Sequence, residues 1–233
     1  MEKNIELSVV IPCRNEEKNI ARAVELTDAY LIKKNIAGEI IVVDDGSDDT
    51  TSIIAEKLIT SNPVSVIKLA SNFGKGAAVR KGVLSSSGNF VLFTDADFST
   101  NICELDNFLP VCGSGADIII ASRSLPGSVL DPPQSFFRRA LGTICRVLVS
   151  LLAVKGYKDT QCGFKLFSRK AAGEIFPHLK TDGFAFDVEI LVLAHKLGLG
   201  VKEMPVKWKN SSDSRVSPVK DSFIFFLQLL RGF

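Results

Sequence analysis

Two aspartates separated by one residue close an apolar run that is typical of a buried strand, FVLFTDAD. Alternate residues of a strand face the same way, so Asp95 and Asp97 project together and repel each other unless a cation lies between them. Carboxylate oxygens at such a place suit Mg²⁺ or Mn²⁺, which often share their ligands with a diphosphate. The alternative is a strand-ending turn in which Asp97 caps a helix. The spacing therefore predicts a metal site, with a structural cap as the rival interpretation.

A second acidic cluster, VVDDGSDDT, follows another apolar run. Gly46 permits a tight turn, and Ser47 or Asp48 could cap the helix that follows. That interpretation leaves Asp44 and Asp45 without a role. Carboxylates accept hydrogen bonds, and at a strand end they suit ribose hydroxyls and base N–H groups. These two residues are therefore candidates for binding a nucleotide.

A glycine-rich stretch, NFGKGAAVRKG, places Lys75 between Gly74 and Gly76 just before a predicted helix. The free N–H groups of a helix start and a nearby cation together suit an oxyanion. The dinucleotide pattern G-x-G-x-x-G is broken by Val79, and the P-loop pattern G-x-x-x-x-G-K-[ST] is absent. The stretch favours a phosphate contact by Lys75 and argues against a dehydrogenase or a P-loop NTPase.

A sheet must position these candidate residues. Short apolar runs read as strands, and amphipathic segments between them read as helices; the runs are LSVVIPC, EIIVVDDGS, VSVIKLA, NFVLFTDAD and ADIIIASR. Their Val and Ile residues are continuous rather than alternating, which indicates strands covered on both faces, as in a parallel sheet. Ligands of such sheets bind at the carboxyl ends of the strands, where the acidic clusters fall. We expect an α/β fold with a mostly parallel central sheet flanked by helices.

The second half of the chain has a different pattern, with a basic amphipathic segment, a Gly/Cys/Gln loop, and a final strand and helix. Between Pro132 and Lys158 there are five basic residues and no acidic one. On a helix over 134–154, one face would carry Phe137, Leu141, Ile144, Leu148 and Leu151, and the opposite face Arg139, Thr143, Arg146 and Ser150. The segment 218–233 repeats Phe and Leu at helical spacing. Such helices lie in a membrane interface, cover the core or contact a second subunit, and the pattern leaves these open.

Composition excludes several classes of protein. The 233 residues include 28 basic and 26 acidic ones, a formal net charge of +2, which argues against nucleic-acid binding. Five scattered cysteines without a C-x-x-C pair predict neither a zinc site nor a disulfide framework. No uncharged apolar run reaches the ~20 residues that a bilayer-spanning helix needs. We expect one domain that does not cross a membrane.

In this order and spacing, VVIPCRNEE, IIVVDDGSDDT, NFGKGAAVRKG, FTDAD and DTQCGFKLF resemble the family 2 glycosyltransferases of GT-A fold. The chain is most similar to the dolichyl-phosphate glucosyltransferase and polyprenyl-phosphate glycosyltransferase branch, from Ser8 to about Leu230. The resemblance implies a single GT-A domain over 1–233, with a nucleotide-sugar-binding half, 1–125, and an acceptor-binding half, 126–233. Eukaryotic members carry an N-terminal membrane anchor, whereas this chain begins almost directly at its first strand. We therefore expect a peripheral protein at the cytoplasmic face of the membrane.

The resemblance also assigns roles to residues. The nucleotide-sugar donor is expected at Pro12, Asn15, Glu16, Asp44, Asp45, Lys75 and Asp95. Asp97 is expected to coordinate Mg²⁺ or Mn²⁺, with Asp95 contacting the metal, its water or the ribose. Asp159 and Asp187 are candidate catalytic bases or orienting acids, and Gln161 is expected near the metal or the sugar. For Asp159 and Gln161 the alternative is a loop that folds back on Lys165 or a backbone amide. Arg123, Arg138 and Arg139 are expected to bind the acceptor phosphate, since a planar guanidinium suits bidentate contact.

The implied reaction is a metal-dependent, inverting transfer of a hexose, expected to be glucose from UDP-glucose, to a polyprenyl or dolichyl phosphate. A phosphate acceptor is largely ionised near pH 7 and needs no strong base, so His178 and His195 are expected to be structural. A saccharide or other soluble acceptor would make a base at Asp159 or Asp187 indispensable. A nucleotide-sugar-binding scaffold is a further alternative, and a homo-oligomer is left open.

Overall fold

The computed structural model describes residues 5–132 and 136–209, together with Phe225 and Gln228. Between 136 and 145, only Gly142 and Thr143 have described side chains. The side chains of Arg138 and Arg139, and the predicted segment 218–233 apart from Phe225 and Gln228, therefore lie outside the described residues.

Strands and helices alternate through most of the described chain. The strands are β1 (Leu7–Cys13), β2 (Gly38–Asp44), β3 (Val64–Lys68), β4 (Phe90–Thr94), β5 (Ile118–Ser122), β6 (Val129–Asp131), β7 (Phe164–Ser168), β8 (Val201–Pro205) and β9 (Lys207–Lys209). The helices are α1 (Ile20–Lys34), α2 (Thr51–Lys57), α3 (Lys75–Leu84), α4 (Leu105–Gly113), α5 (Phe136–Leu152), α6 (Arg169–Ile175) and α7 (Phe186–Lys196). A short 3-10 turn, Ile102–Glu104, precedes α4. The apolar runs of the sequence correspond to β1 to β5.

The central sheet has the order β3-β2-β1-β4-β7-β5-β8. Strand β7 runs antiparallel to β4 and β5, and the other pairs are parallel. This confirms the predicted mostly parallel sheet. Because β1, β2 and β4 run the same way, the residues that follow them, including both acidic clusters, lie at one edge.

Helices cover both faces of this sheet. One core layer lies between the sheet and α1 and α4, with Leu31 and Phe108 among its fully buried side chains. The other lies between the sheet and α3, α6 and α7, with Phe176 and Phe186 fully buried. Every residue of β1 is buried, as expected for a strand covered on both faces.

Strand β7 was not predicted, because the stretch around DTQCG reads as a loop and Lys165 interrupts the apolar run that follows. In the structure the first four residues of β7 are buried, Lys165 included. The strand begins at the edge where β4 ends, since Thr94 pairs with Phe164. The residues before β7 therefore lie beside the D-x-D aspartates.

A small second sheet lies beside the edge of the central sheet that carries both acidic clusters, which we call the active edge. Strands β6 and β9 pair in parallel, and Trp208 forms an isolated bridge with Thr100. The N–H of Lys209 donates to the carbonyl of Ser99 over 2.7 Å. These contacts place Trp208 near the loop that follows Asp97.

The amphipathic helix α5 packs against the domain through part of its surface. Val149 forms a small apolar cluster with Ala185, Val188 and Phe225. Leu151, on the predicted apolar face, is 72% exposed, and Val147 is 51% exposed, so the described residues do not cover this part of the helix. Phe225 is buried, so this aromatic of the C-terminal segment belongs to the core. Among the described helices, none is both long and apolar enough to cross a bilayer.

Candidate active site

The loops after β1 and β2 are tied to each other at the active edge. The N–H of Asn15 donates to the hydroxyl of Ser47 over 2.8 Å, and the side-chain oxygen of Asn15 accepts from the N–H of Asp48 over 2.7 Å. The N–H of Glu16 donates to the hydroxyl of Thr51 over 2.7 Å. Pro12 pairs with Val43 on the adjacent strand. The residues expected to hold the donor therefore come together from two strands.

Asp44 holds the turn that follows its own strand. One carboxylate oxygen accepts from the N–H of Ser47 over 3.0 Å and from its hydroxyl, and the other accepts from the hydroxyl of Ser52. Ser47 thus binds Asp44 and does not cap α2, which begins after Thr50. A nucleotide contact by Asp44 stays a prediction.

Asp45 holds the glycine-rich stretch. Its two carboxylate oxygens accept from the N–H groups of Phe73 and Gly74 over 2.7 and 2.8 Å. Burial raises the pKa of this carboxyl, and the two N–H donors offset part of that effect. Asp45 therefore positions the start of α3, and its contact with a nucleotide stays a prediction.

The start of α3 is occupied by backbone from a distant turn. The carbonyl of Asp182 accepts from the N–H groups of Gly76 and Ala77 over 2.7 and 3.2 Å. The predicted free N–H groups for an oxyanion are therefore wrong at these two positions. Gly74 has a φ of +112°, and a Cβ there would overlap the same carbonyl, so this position requires glycine.

Lys75 supplies the positive charge of the site. Its Nζ lies 2.6 Å from a carboxylate oxygen of Asp95. Burial opposes the charged form, but Asp95, Asp187 and Asp97 outweigh it and raise the pKa of the Lys75 ammonium. This lysine is therefore charged at the edge where the donor is expected.

The two aspartates of the D-x-D pattern face the same site with different partners. The N–H of Asp95 donates to the carbonyl of Gly163 over 3.1 Å. Asp97 accepts from the N–H and the hydroxyl of Ser99, both over 2.9 Å. The helical turn that follows is capped by Asn101, whose side chain accepts from Cys103. The interpretation of Asp97 as a helix cap is therefore wrong.

This pair suits a divalent cation. Burial, and then the neighbouring Asp95 carboxylate, raise the pKa of Asp97, which is the electrostatic sign of two like charges held together. Across 5–132 and 136–209, no group of three or more His, Cys, Asp or Glu residues could hold a metal by itself. Two carboxylates that leave the other positions to phosphate and water match the preference of Mg²⁺ and Mn²⁺.

Arg123, expected to bind the acceptor phosphate, and Asp159, a candidate base or orienting acid, bind each other. Arg123 donates from Nε and Nη2 to the two carboxylate oxygens over 2.7 and 2.9 Å, and its backbone N–H donates to Asp159 as well. The guanidinium lies 5.6 Å from the ring centroid of Trp208. Burial would raise the pKa of Asp159, but Arg123 outweighs it and holds that pKa below its usual value. A carboxylate in this state is a weak base.

Asp187 is held by Lys165, a residue whose partner the sequence did not indicate. Both side chains are buried, and the ammonium of Lys165 also donates to the carbonyl of Cys162 over 2.9 Å. Burial raises the pKa of Asp187, and Lys165 and Lys75 offset part of that effect. The only signal for this pair was a lysine within the apolar run FKLF.

The remaining predicted residues lie around this core. The backbone N–H of Gln161 donates to Asp159 over 3.2 Å, which places Gln161 beside the Arg123–Asp159 pair. Arg138 and Arg139 fall in the first turn of α5, and their side chains are not described. His178 and His195 are both exposed, on a loop and at the end of α7. The structure thus brings together most of the predicted site and leaves both histidines on the surface.

The chain is similar in sequence to known glycosyltransferases. Residues 8–176 match the family model described as Glycosyl transferase family 2. A dolichyl-phosphate beta-glucosyltransferase of Dictyostelium discoideum is 37% identical over 241 residues, covering 98% of this chain and 74% of that protein. The human protein of the same name is 38% identical over 248 residues, covering 97% and 76%. The Saccharomyces cerevisiae protein is 35% identical over 242 residues, covering 95% and 72%.

Solved structures with the same fold include glucosyl-3-phosphoglycerate synthase of Mycobacterium tuberculosis in complex with Mn²⁺, UDP-glucose and phosphoglyceric acid. It has a TM-score of 0.72 and 18% identity, and the match covers 97% of this chain and 79% of that one. At that identity the likeness concerns the fold, and it confirms the GT-A prediction. Together with the family match over most of the length, these findings show that the chain is an enzyme of glycosyltransferase family 2.

Proposed function

We propose that this glycosyltransferase moves glucose from UDP-glucose to a dolichyl or polyprenyl phosphate, with inversion at the sugar C1. The observation that carries the proposal is the juxtaposition of Lys75, Asp95 and Asp97 at the carboxyl edge of the sheet. The names of the relatives, which are 35 to 38% identical over nearly the whole chain, support the sugar and the acceptor.

The donor diphosphate would lie against the D-x-D aspartates and Lys75. A Mg²⁺ or Mn²⁺ ion held by Asp97 and Asp95 would stabilise, as a Lewis acid, the charge that develops on the leaving diphosphate. Lys75 holds a fixed ammonium beside Asp95 and adds a second positive charge on the same side. The nucleoside would then lie against the joined loops after β1 and β2, which carry Pro12, Asn15, Glu16, Asp44 and Asp45.

The environment of Asp159 supports an acceptor that needs no strong base. Asp159 is the ion-pair partner of Arg123, and Asp187 is buried on Lys165. A phosphate monoester carries its own negative oxygen near pH 7, whereas a sugar hydroxyl must lose a proton as it attacks. Asp159, whose pKa is lowered, would then orient Arg123 and not take a proton. Burial raises the pKa of Asp187, but its ion pair with Lys165 gives that carboxylate an orienting role as well. This favours the phosphate acceptor over the saccharide acceptor.

Arginines near the acceptor end would bind the lipid phosphate. The side-chain nitrogens Nε and Nη2 of Arg123 donate to Asp159. Within the described part of the chain the third nitrogen, Nη1, has no hydrogen-bond partner, so it would be the one that donates to the phosphate. Arg138 and Arg139, at the start of α5, would add further charge on the same side. Gln161, beside Asp159, would contact the sugar or the metal.

A lipid acceptor would bring the enzyme to a membrane surface, and exposed apolar residues of α5 support that location. Val147, Leu151 and Leu152 are 51%, 72% and 49% exposed, and Arg146 lies on the same helix. Apolar side chains beside basic ones suit an anionic interface. The proposal places the enzyme at the cytoplasmic face, where nucleotide-sugars are available.

The direct test is transfer of labelled glucose to lipid phosphate. The full chain is incubated in detergent with UDP-glucose and dolichyl phosphate after removal of divalent ions, and Mn²⁺ or Mg²⁺ is then restored. We expect glucolipid only when both the lipid phosphate and the ion are present, with GDP-mannose and UDP-galactose as donor controls. Transfer to a soluble saccharide but not to lipid phosphate would favour the alternative acceptor. Donor binding without any transfer would favour the scaffold.

A further inference from the structure

A lysine that is not exposed to solvent lies beneath the D-x-D aspartates. Lys165, the second residue of β7, is 0% exposed. An ammonium taken out of water is unfavourable unless it is paired and hydrogen-bonded. Lys165 has three contacts: it pairs with the carboxylate of Asp187, donates to the carbonyl of Cys162 over 2.9 Å, and lies 5.2 Å from the ring centroid of Phe93. All three lead to the donor site.

The first connection runs through the backbone before β7. Lys165 fixes the carbonyl of Cys162, and the next residue, Gly163, accepts from the N–H of Asp95 over 3.1 Å. The Cα of Gly163 lies directly against the Asp95 carboxylate, because a Cβ at this position would overlap it. By fixing Cys162, Lys165 therefore also fixes Gly163, which contacts both the backbone and the carboxylate of Asp95.

The second connection runs through charge. The ammonium groups of Lys75 and Lys165 lie 5.9 and 5.2 Å from the ring centroid of Phe93, so both belong to one small region. Asp187 attracts Lys75 as well as Lys165. Without Lys165, Asp187 would be a buried carboxylate that competes with Asp95 for Lys75. By neutralising Asp187, Lys165 allows Lys75 to pair with Asp95.

We propose that Lys165 is a positioning residue for the donor site, which fixes Asp95 through Cys162 and Gly163, and Lys75 through Asp187, without touching the donor. The inference rests on the proposed function, because it supposes that Asp95 and Lys75 face a nucleoside diphosphate and a divalent cation. The ligand class that depends on Lys165 is therefore the metal–diphosphate unit of the donor, and the acceptor should be unaffected.

The test measures binding of Mn²⁺ and UDP by the full chain, with electron paramagnetic resonance for free Mn²⁺, so no turnover is needed. Removing Lys165 alone would leave Asp187 without its buried partner, so the variant Lys165→Met with Asp187→Leu replaces both members of the pair and isolates the connection through Cys162. We expect Mn²⁺ affinity in the presence of UDP to fall about tenfold or more, as when a residue that supports a metal ligand is lost. The KM for lipid phosphate should stay within about twofold, which a general loss of structure would not allow.

The matched control is Lys170→Met, which removes an exposed lysine five positions further along the chain and should bind like the parent. If the parent itself fails to bind Mn²⁺ with UDP, the proposed function fails. If the parent binds and the double variant binds equally well, the inference about Lys165 is overturned. Should the double variant unfold, Lys165→Met with Asp187→Asn keeps the shape of the carboxylate and is measured in the same way. Failure of both to fold would make Lys165 a residue of the fold alone and would also overturn the inference.

Discussion

Arg123 grips the carboxylate of Asp159 through two parallel hydrogen bonds, 2.7 Å from Nε and 2.9 Å from Nη2. The pair joins the end of β5 to the loop before β7, two segments that are 36 residues apart in sequence. Such a bidentate contact fixes the orientation of the guanidinium and also supplies its counter-charge. Two residues that each looked like an independent catalytic group are therefore one structural and electrostatic unit.

Asp159→Asn should destabilise the enzyme. The change leaves a largely buried guanidinium without its counter-charge, and we expect a loss of about 2 to 4 kcal/mol in the free energy of unfolding, because breaking a buried pair is costly. Urea unfolding at neutral pH measures this. An unchanged midpoint would mean that the pair is solvent-screened.

The same variant has a defined pH dependence. The pKa of Asp159 is lower in the folded protein than its ordinary value of 3.8. A lowered pKa gives stability that is present above the ordinary value and is lost as the pH falls through the folded one. The stability difference between parent and Asp159→Asn should therefore be constant from neutral pH to about pH 4 and shrink below it. A stability difference that grows as the pH falls would contradict a lowered pKa of Asp159.

Asp97→Ala should abolish transfer and leave the fold intact. The Asp97 carboxylate contacts the nearby Ser99, so its removal should cost less than about 1 kcal/mol of stability. We expect transfer to fall by about a hundredfold or more, since a metal ligand is lost. The matched control is Asp106→Ala, which removes an aspartate of α4 that binds Tyr30 and Lys34 of α1, and it should retain activity. Near-parental transfer by Asp97→Ala would place the metal elsewhere.

Gly76→Ala should be harmful although alanine is the better helix former. A Cβ at position 76 would overlap the carbonyl of Thr181 and lie 2.8 Å from the Cβ of Phe186, so the 181–182 turn would have to move. We expect a loss of about 1 to 3 kcal/mol from overpacking, read by thermal unfolding. In the matched change, Gly173→Ala, the new methyl meets nothing within 4 Å, and stability should rise by up to about 1 kcal/mol. Equal changes in stability at the two glycines would show that the 181–182 turn can move without loss of stability.

Membrane binding should separate into charge and apolar contributions. Arg146→Gln should weaken sedimentation with anionic liposomes, since each basic residue near such a surface adds roughly 1 kcal/mol, which salt screens. Leu151→Ser should also weaken binding to neutral liposomes, because apolar burial is not screened. If the parent fails to sediment with anionic liposomes at low salt, the exposed face of α5 has another role.

The sheet was predictable because its signal is local. Continuous Val and Ile runs mark β1, β2 and β5 as doubly covered strands, and their polar ends mark the active edge. The strand β7 was missed because a buried lysine breaks the apolar pattern, and the pattern cannot show that Asp187 will neutralise it.

Partner choice in the site was not predictable for the same reason. Asp45 binds N–H groups 28 and 29 residues away, and the carbonyl of Asp182 reaches the start of α3 from the other half of the chain. Residue types and spacing identify charged groups at an edge, whereas tertiary packing decides which of them bind each other and which face a ligand. The D-x-D pair was recognised because its two members are only one residue apart in sequence.

Trp208 is the only tryptophan of the chain, and it stands over the guanidinium of Arg123. Its emission therefore comes from one place, the side of the site where the acceptor phosphate is expected. A nearby cation and its counter-ion govern the local field at the indole, so a phosphate that draws on Arg123 would change both intensity and wavelength. The protein thus carries a natural optical reporter for acceptor binding, which needs no label and no turnover.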